Sequence, residues 1–293
     1  MVAQAPTVPG RTAPSAPRAR AAGGVPKWLW VIPPVAVIAL AVVYPLVEVI
    51  TRTFTDKAGD SAGFSTWHDT LTDAAVLRAL GTTLEVAALS TVGCVVVGSF
   101  LAIVLAFVPF PGASAVVRLI EAVVSFPSFL IPLALGVLLG PVGVVDAVLK
   151  PLGGGTGSLM SSIWGVVAAE VAFYTPFVVR PMLASFTQFP SVQIDVASSL
   201  GAGPLTIVRR VVLPAAVPAL AAATSLTFLL TLNEFGIVLF TGAKDVITLP
   251  MLIYTKAIVG LDFATAAVLA TVQLAISVGV YVIYRALLGR EDA

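Results

Sequence analysis

Six apolar runs, at 28–50, 81–108, 119–140, 163–183, 214–240 and 264–288, take up about half of this chain. Each is long enough to cross a hydrocarbon core of about 30 Å as a helix. That pattern leaves few folds open. In lipid every backbone N–H and C=O needs a partner inside the protein, so runs of this length fold as helices that pack together. Composition agrees, because 58% hydrophobic and 11% charged residues with a mean hydropathy of +1.04 lie outside what a water-soluble domain of 293 residues tolerates. The expected fold is all-α, a polytopic membrane protein of six transmembrane helices within a domain covering 28–290. Residues 1–27 are rich in Ala, Pro, Gly and Arg without apolar periodicity and read as a disordered basic tail. The run after them exceeds the signal-peptide core of about 7–15 residues, so it reads as a retained first span.

Lys and Arg orient the bundle. With the N-terminus inside, ten fall on the cytoplasmic side (Arg11, Arg18, Arg20, Lys27, Arg118, Arg180, Arg209, Arg210, Arg285, Arg290) and six outside (Arg52, Lys57, Arg78, Lys150, Lys244, Lys256). Both termini and the segment 190–213 are therefore expected in the cytoplasm. Alanines and a threonine four residues apart, Ala215, Ala219 and Ala223 in the fifth run and Ala267, Thr271 and Ala275 in the sixth, read as close helix-packing faces. Arg118 with Glu121 reads as an interfacial ion pair.

Several chemistries are excluded. The net charge of +1 gives no nucleic-acid footprint. Lone Cys94 rules out an internal disulfide or thiolate metal cluster, and lone His68 rules out a histidine metal site. Neither His-Glu-x-x-His nor Gly-x-Ser-x-Gly occurs, so no catalytic residue is assigned. A phosphate-binding loop with its lysine is absent as well. Gly153-Gly154-Gly155-Thr156-Gly157 lacks that lysine and reads as a flexible outer loop.

One polar interruption stands out. From Ser191 to Leu200, Val192, Val196 and Leu200 recur at helical spacing, with Pro190 and Ser191 as start signals and Gly201 as a stop. Gly203-Pro204 then turns into a second short helix carrying Arg209 and Arg210. Such a hairpin cannot bury its stripe alone. It either rests on lipid as an interfacial helix or docks in the groove of a soluble partner. The segment resembles the signature of membrane subunits of bacterial ABC importers: Glu-Ala-Ala, three residues, Gly, nine residues, Ile-x-Leu-Pro. Asp195, Val196 and Ala197 stand at the triplet, Gly201 at the glycine, and Val211, Leu213 and Pro214 at the end. Asp for Glu, Val for Ala and Val for Ile are the departures. The resemblance implies a coupling helix in a cleft of a cytoplasmic ATPase, with Asp195, Ala197, Leu200, Gly201, Arg209, Val211, Leu213 and Pro214 serving that contact.

The intramembrane polar residues are the candidates for a solute pathway, since facing them to lipid costs a few kcal/mol. Glu170 lies about two turns into the fourth run, and Asn233 and Glu234 lie in the outer part of the fifth. Tyr174, one turn beyond Glu170, is counted with them in the pathway, while a competing structural role is open in which Tyr174 or Thr231 hydroxyls hydrogen-bond these carboxylates across helices. Residues from Asn233 to Phe240, with Gly242-Ala243-Lys244 and Thr248-Leu249-Pro250-Met251, are similar to the equivalent part of permeases for 2-aminoethylphosphonate, in a wider group that serves polyamines, sulfate, molybdate and ferric iron. The resemblance implies an importer permease in the bacterial inner membrane, paired with a second permease chain, two ATPases and an extracytoplasmic binding protein. ATP and Mg would reside in the ATPases, with no cofactor on this chain and no enzyme activity of its own. An ion-coupled secondary transporter is the alternative, and it would have no use for a docking hairpin.

Overall fold

The computed structural model describes residues 27–140, 143–150, 155 and 159–288. The expected basic tail up to residue 26, most of the 153–157 glycine run, and Arg290 lie outside the described residues. Two compact units divide the chain between Val47 and Glu48. The first holds a single 3-10 turn at Lys27–Trp30 and most of α1 (Ile32–Arg52), an apolar helix that tolerates Pro45 in its interior and whose last residues, from Glu48, belong to the second unit.

The second unit is built on α3 (Ala74–Phe107), which follows the short α2 (Ser65–Thr72). Asp73 caps α3 by accepting from the Ala75 N–H at 2.8 Å, and this start signal opens the helix seven residues ahead of the expected span. At 34 residues it is about 50 Å long, more than a bilayer core requires. Val76 and Ala79 on the added turns are buried against Leu249, Leu252 and Leu269.

The expected third span is not one helix. Residues 119–140 are divided between α4 (Ala113–Val123) and α5 (Leu130–Leu139), because Pro127 has no N–H to continue the ladder and disfavours helical backbone at Phe126. The apolar stretch of spanning length there runs from Leu130 to Leu149 instead, through α6 (Val144–Leu149). Across the fourth expected span, 163–183, α7 (Ile163–Tyr174) continues into α8 (Pro176–Thr187).

After α9 (Ser191–Ser199) and α10 (Pro204–Ile207) come a π-helical turn (Val208–Val212), α11 (Leu213–Ala215) and α12 (Val217–Leu232). The axis bends by 67° at Ala216, between two of the usual causes of a kink, a π turn before it and Pro218 after it. The fifth span then breaks again, since residues 233–235 separate α12 from α13 (Gly236–Thr241). After α14 (Leu249–Tyr254) and a second π-helical turn (Thr255–Val259), α15 (Phe263–Leu288) is the last described helix and lies over the expected sixth run, 264–288. By length and composition five helices can cross a membrane, or six when the bent pair counts as one. The fold is all-α.

α3 packs on α7, α8 and α12, and α12 packs in turn on α15. The close contacts are at Gly93, where a Cβ would stand 2.5 Å from the Val171 Cγ2, and at Gly98, where it would stand 2.7 Å from the Val178 Cβ. Small residues on α3 therefore set the close approach. The alanine faces expected on the fifth and sixth spans are only partly used: Ala223 and Ala267 are buried, whereas Ala215 and Ala275 are exposed. On α15 the buried face is Ala264, Val268, Leu269 and Gln273.

Candidate functional site: a helical hairpin and an interrupted span

Gly201 ends α9 with φ +83°, a left-handed conformation with open space around the missing Cβ. The Ala202 N–H reaches the Ala197 carbonyl at 3.0 Å and the Gly201 N–H reaches Ser198 at 2.9 Å. These two bonds form a Schellman motif, which satisfies the carbonyls orphaned at the helix end. The chain thereby reverses and presents two faces. Ile194, Ala197, Ala202, Val211 and Leu213 pack against the core around Met182, Ile207 and Val212. Val192, Val196, Leu200 and Leu205 point away from it, with Leu200 83% exposed and Leu205 81% exposed. Of the coupling candidates, Asp195, Leu200, Gly201, Arg209 and Pro214 are exposed, while Ala197, Val211 and Leu213 are half-buried on the anchoring side.

The second polar feature is the break at 233–235. Glu234 is buried, and its carboxylate is held on every side: Ser128 donates to Oε1 at 3.2 Å, the Ile237 N–H donates to the same oxygen at 2.8 Å, and the Tyr174 hydroxyl donates to Oε2. The carboxylate accepts the Ile237 N–H in the first turn of α13, one of the donors left without a partner at a helix start. The Tyr174 hydroxyl foreseen as a hydrogen-bond partner thus meets Glu234. Glu170 on α7 has the opposite environment. It is fully buried, with Ser90 on α3 as its polar neighbour, and among the described residues neither oxygen has a partner at good hydrogen-bond geometry. Thr231 bonds the Ala87 carbonyl and the Thr91 hydroxyl, each at 3.4 Å, and so joins α12 to α3 rather than serving either carboxylate.

Asn233 is exposed, although it adjoins buried Glu234. Its amide is tied to α15 through Gln273 and Ser277, residues that hydropathy alone leaves unnoticed in the sixth run. Their spacing of four residues, which places two polar side chains on one face of an apolar helix, is the signal that would have found them. Ser128, the third missed residue, sits in the interruption after Pro127. The expected pair of Arg118 and Glu121 is not formed. Arg118 Nε donates to the Ser114 carbonyl at 3.2 Å, one turn back on its own helix, and among the described residues Glu121 makes no ion pair.

Outside the spans, Asp262 caps α15 by accepting from the Thr265 N–H at 3.2 Å and pairs with Lys57 at 3.2 Å. Burial alone would raise this carboxyl, but the Thr265 hydrogen bonds and the Lys57 ammonium together hold it below the usual carboxylate range. Among the described residues no group of three His, Cys, Asp or Glu is arranged to hold a metal.

Residues 95–291 match the family described as binding-protein-dependent transport system inner membrane component. The chain is 37% identical over 260 residues to a putative 2-aminoethylphosphonate transport system permease protein, PhnU, of Salmonella typhimurium, covering 88% of this chain and 91% of that one. It is 28% identical over 231 residues to the spermidine/putrescine transport system permease protein PotC of Escherichia coli, covering 78% and 81%. Among solved structures, a bacterial ABC transporter that imports the acidic polysaccharide alginate matches with a TM-score of 0.79 at 16% identity, over 90% of this chain and 95% of that one. That likeness speaks for the fold alone. Hairpin, apolar helices and sequence similarity agree, and the chain belongs to the binding-protein-dependent inner membrane components, the multi-pass permease subunits of ABC importers.

Proposed function

We propose that this permease carries 2-aminoethylphosphonate or a related phosphonate inward, driven by ATP hydrolysed in separate subunits that dock on α9. The observation that carries the docking is the exposed stripe of Val192, Val196 and Leu200, on a hairpin whose other face is anchored in the core. Apolar side chains so exposed on a short helix are stabilised by a groove that buries them. The solute assignment is supported by the relative at 37% identity over most of both chains.

In this reading the hairpin lies in the cytoplasm with both termini. Asp195, Leu200, Gly201, Arg209 and Pro214 meet the ATPase, and Ala197, Val211 and Leu213 fasten the hairpin to the bundle. ATP and Mg belong to the ATPases, a binding protein delivers the solute outside, and a second permease chain completes the enclosure. Closing the ATPases drags α9, and the 67° bend between α11 and α12 converts that pull into tilting of the fifth span. The route runs past the break at Asn233, with Glu234, Tyr174 and Glu170 behind it.

Uptake into vesicles containing the permease pair, its ATPases and its binding protein tests this. Radiolabelled 2-aminoethylphosphonate is expected to accumulate only with ATP, and unlabelled phosphonate is expected to compete while putrescine and molybdate do not. Uptake of putrescine or molybdate in its place would overturn the solute, and accumulation without ATPases would overturn the mechanism.

A further inference from the structure

α3 runs the depth of the bundle. Its last residue, Phe107, packs on Phe186 beside the hairpin, so its first turns lie at the opposite end. At about 50 Å it reaches beyond a hydrocarbon core of about 30 Å, and with the hairpin in the cytoplasm those first turns are outside. There Arg78, Thr82 and Glu85, at helical spacing on one face, line one wall of a cleft of about 500 Å³. The loop from α13 to α14 lines the other wall with Lys244 and Asp245.

Both walls are fixed. Gly242 leaves α13 with φ +66°, Ala243 and Val246 are buried around Val86 and Val238, and the Val246 N–H closes the turn on the Ala243 carbonyl at 3.3 Å. Lys244 and Asp245 are the two exposed residues between those anchors. The Leu249 N–H then donates to the Thr83 hydroxyl at 2.7 Å, which ties the loop to α3 itself. Four charges therefore surround one volume, and none is spent on another. Arg78 Nε donates to the Ala74 carbonyl at 3.1 Å; among the described residues its terminal nitrogens, and the charged groups of Glu85, Lys244 and Asp245, have neither hydrogen bond nor ion pair.

The balance of signs selects the ligand. A solute of one sign is repelled by two of the four groups, whereas a solute with an anionic and a cationic end meets an opposite charge at each. The volume is within the range of about 300–1,000 Å³ usual for small-molecule sites, and a guanidinium offers a fork of donors to phosphoryl oxygens. We propose that this cleft binds a phosphoryl group through Arg78 and Lys244 and an ammonium group through Glu85 and Asp245. Free 2-aminoethylphosphonate carries both groups, and so does the headgroup of phosphatidylethanolamine. The choice of the free solute rests on the reading of the chain as a phosphonate permease; the charge pattern does not.

Equilibrium binding of radiolabelled 2-aminoethylphosphonate to the assembled permease and ATPase complex tests this, without binding protein and in phosphatidylglycerol nanodiscs. Saturable binding is expected with half-saturation on the order of 1 mM. Arg78→Gln with Lys244→Gln, and separately Glu85→Gln with Asp245→Asn, are each expected to weaken it about tenfold, as is replacing the ligand by ethylphosphonate or ethylamine. All four positions are exposed, so the complex is expected to assemble normally. Nanodiscs containing phosphatidylethanolamine separate the two sources: undiminished binding assigns the cleft to the free solute, and competition assigns it to the lipid headgroup. Binding that neither double variant weakens overturns the proposal, and so does an absence of binding in phosphatidylglycerol with no phosphatidylethanolamine retained on the purified complex. Variants that weaken only association with the binding protein overturn it as well. Uptake by the wild-type transporter is read separately: charge-dependent binding without phosphonate uptake counts against the solute assignment alone, and uptake without binding in the cleft counts against this site alone.

Discussion

Glu170 and Glu234 are alike in sequence, two acidic residues in apolar runs, yet they have opposite surroundings. Glu234 sits at a helix break, where a free N–H, a hydroxyl from the interruption after Pro127 and the Tyr174 phenol converge. Glu170 is in mid-helix and receives none. Hydropathy marks both residues, but two of the three partners of Glu234 come from segments 60 and 106 residues away in sequence, a distance over which no local pattern pairs them. Removing an acceptor from the Glu234 network leaves a buried donor unpaired, at about 1–3 kcal/mol. Glu234→Gln and Tyr174→Phe are each expected to lower the thermal unfolding temperature in detergent. Because they share one bond, the double mutant is expected to lose less than the sum. Additive losses would mean that the two residues act independently.

At the scale of elements, helices with one regular apolar run were legible, and helices ended by proline were not. Pro45 and Pro181 lie inside continuous helices while Pro127 ends one, and membrane helices tolerate proline too often for sequence to separate these outcomes. The hairpin was legible for a better reason. Gly201 is a stop only where a left-handed residue is required, and the positive φ there confirms the requirement. Space around it is open, so a substitution acts through the backbone and not through a clash. Gly201→Ala is expected to cost about 1 kcal/mol locally and to weaken ATPase association, with Gly201→Asn milder because Asn enters this region more readily. Pull-down of the ATPase from membranes ranks the two variants. Equal retention with Ala, Asn and Val at this position would show that the turn is not needed for docking.

For the molecule as a whole, a bundle centred on α3 holds two unusual features at the two ends of α12: a bend leading from the hairpin and a break leading to α13. One helix thus connects the surface proposed to receive force to the point where a solute is proposed to pass. Hydropathy and the hairpin spacing were enough to foresee the all-α architecture and the hairpin's place in it. The 67° bend was not legible, because it arises from a π-helical turn and Pro218 acting together. The central claim is that the outward stripe of α9 is what the ATPase grips. The most direct measurement is co-purification of the ATPase with a chain carrying Val196→Glu and Leu200→Glu, two exposed positions whose change leaves the core contacts intact. Loss of the ATPase with normal insertion of the permease in the membrane is the predicted result; an undiminished complex would contradict it.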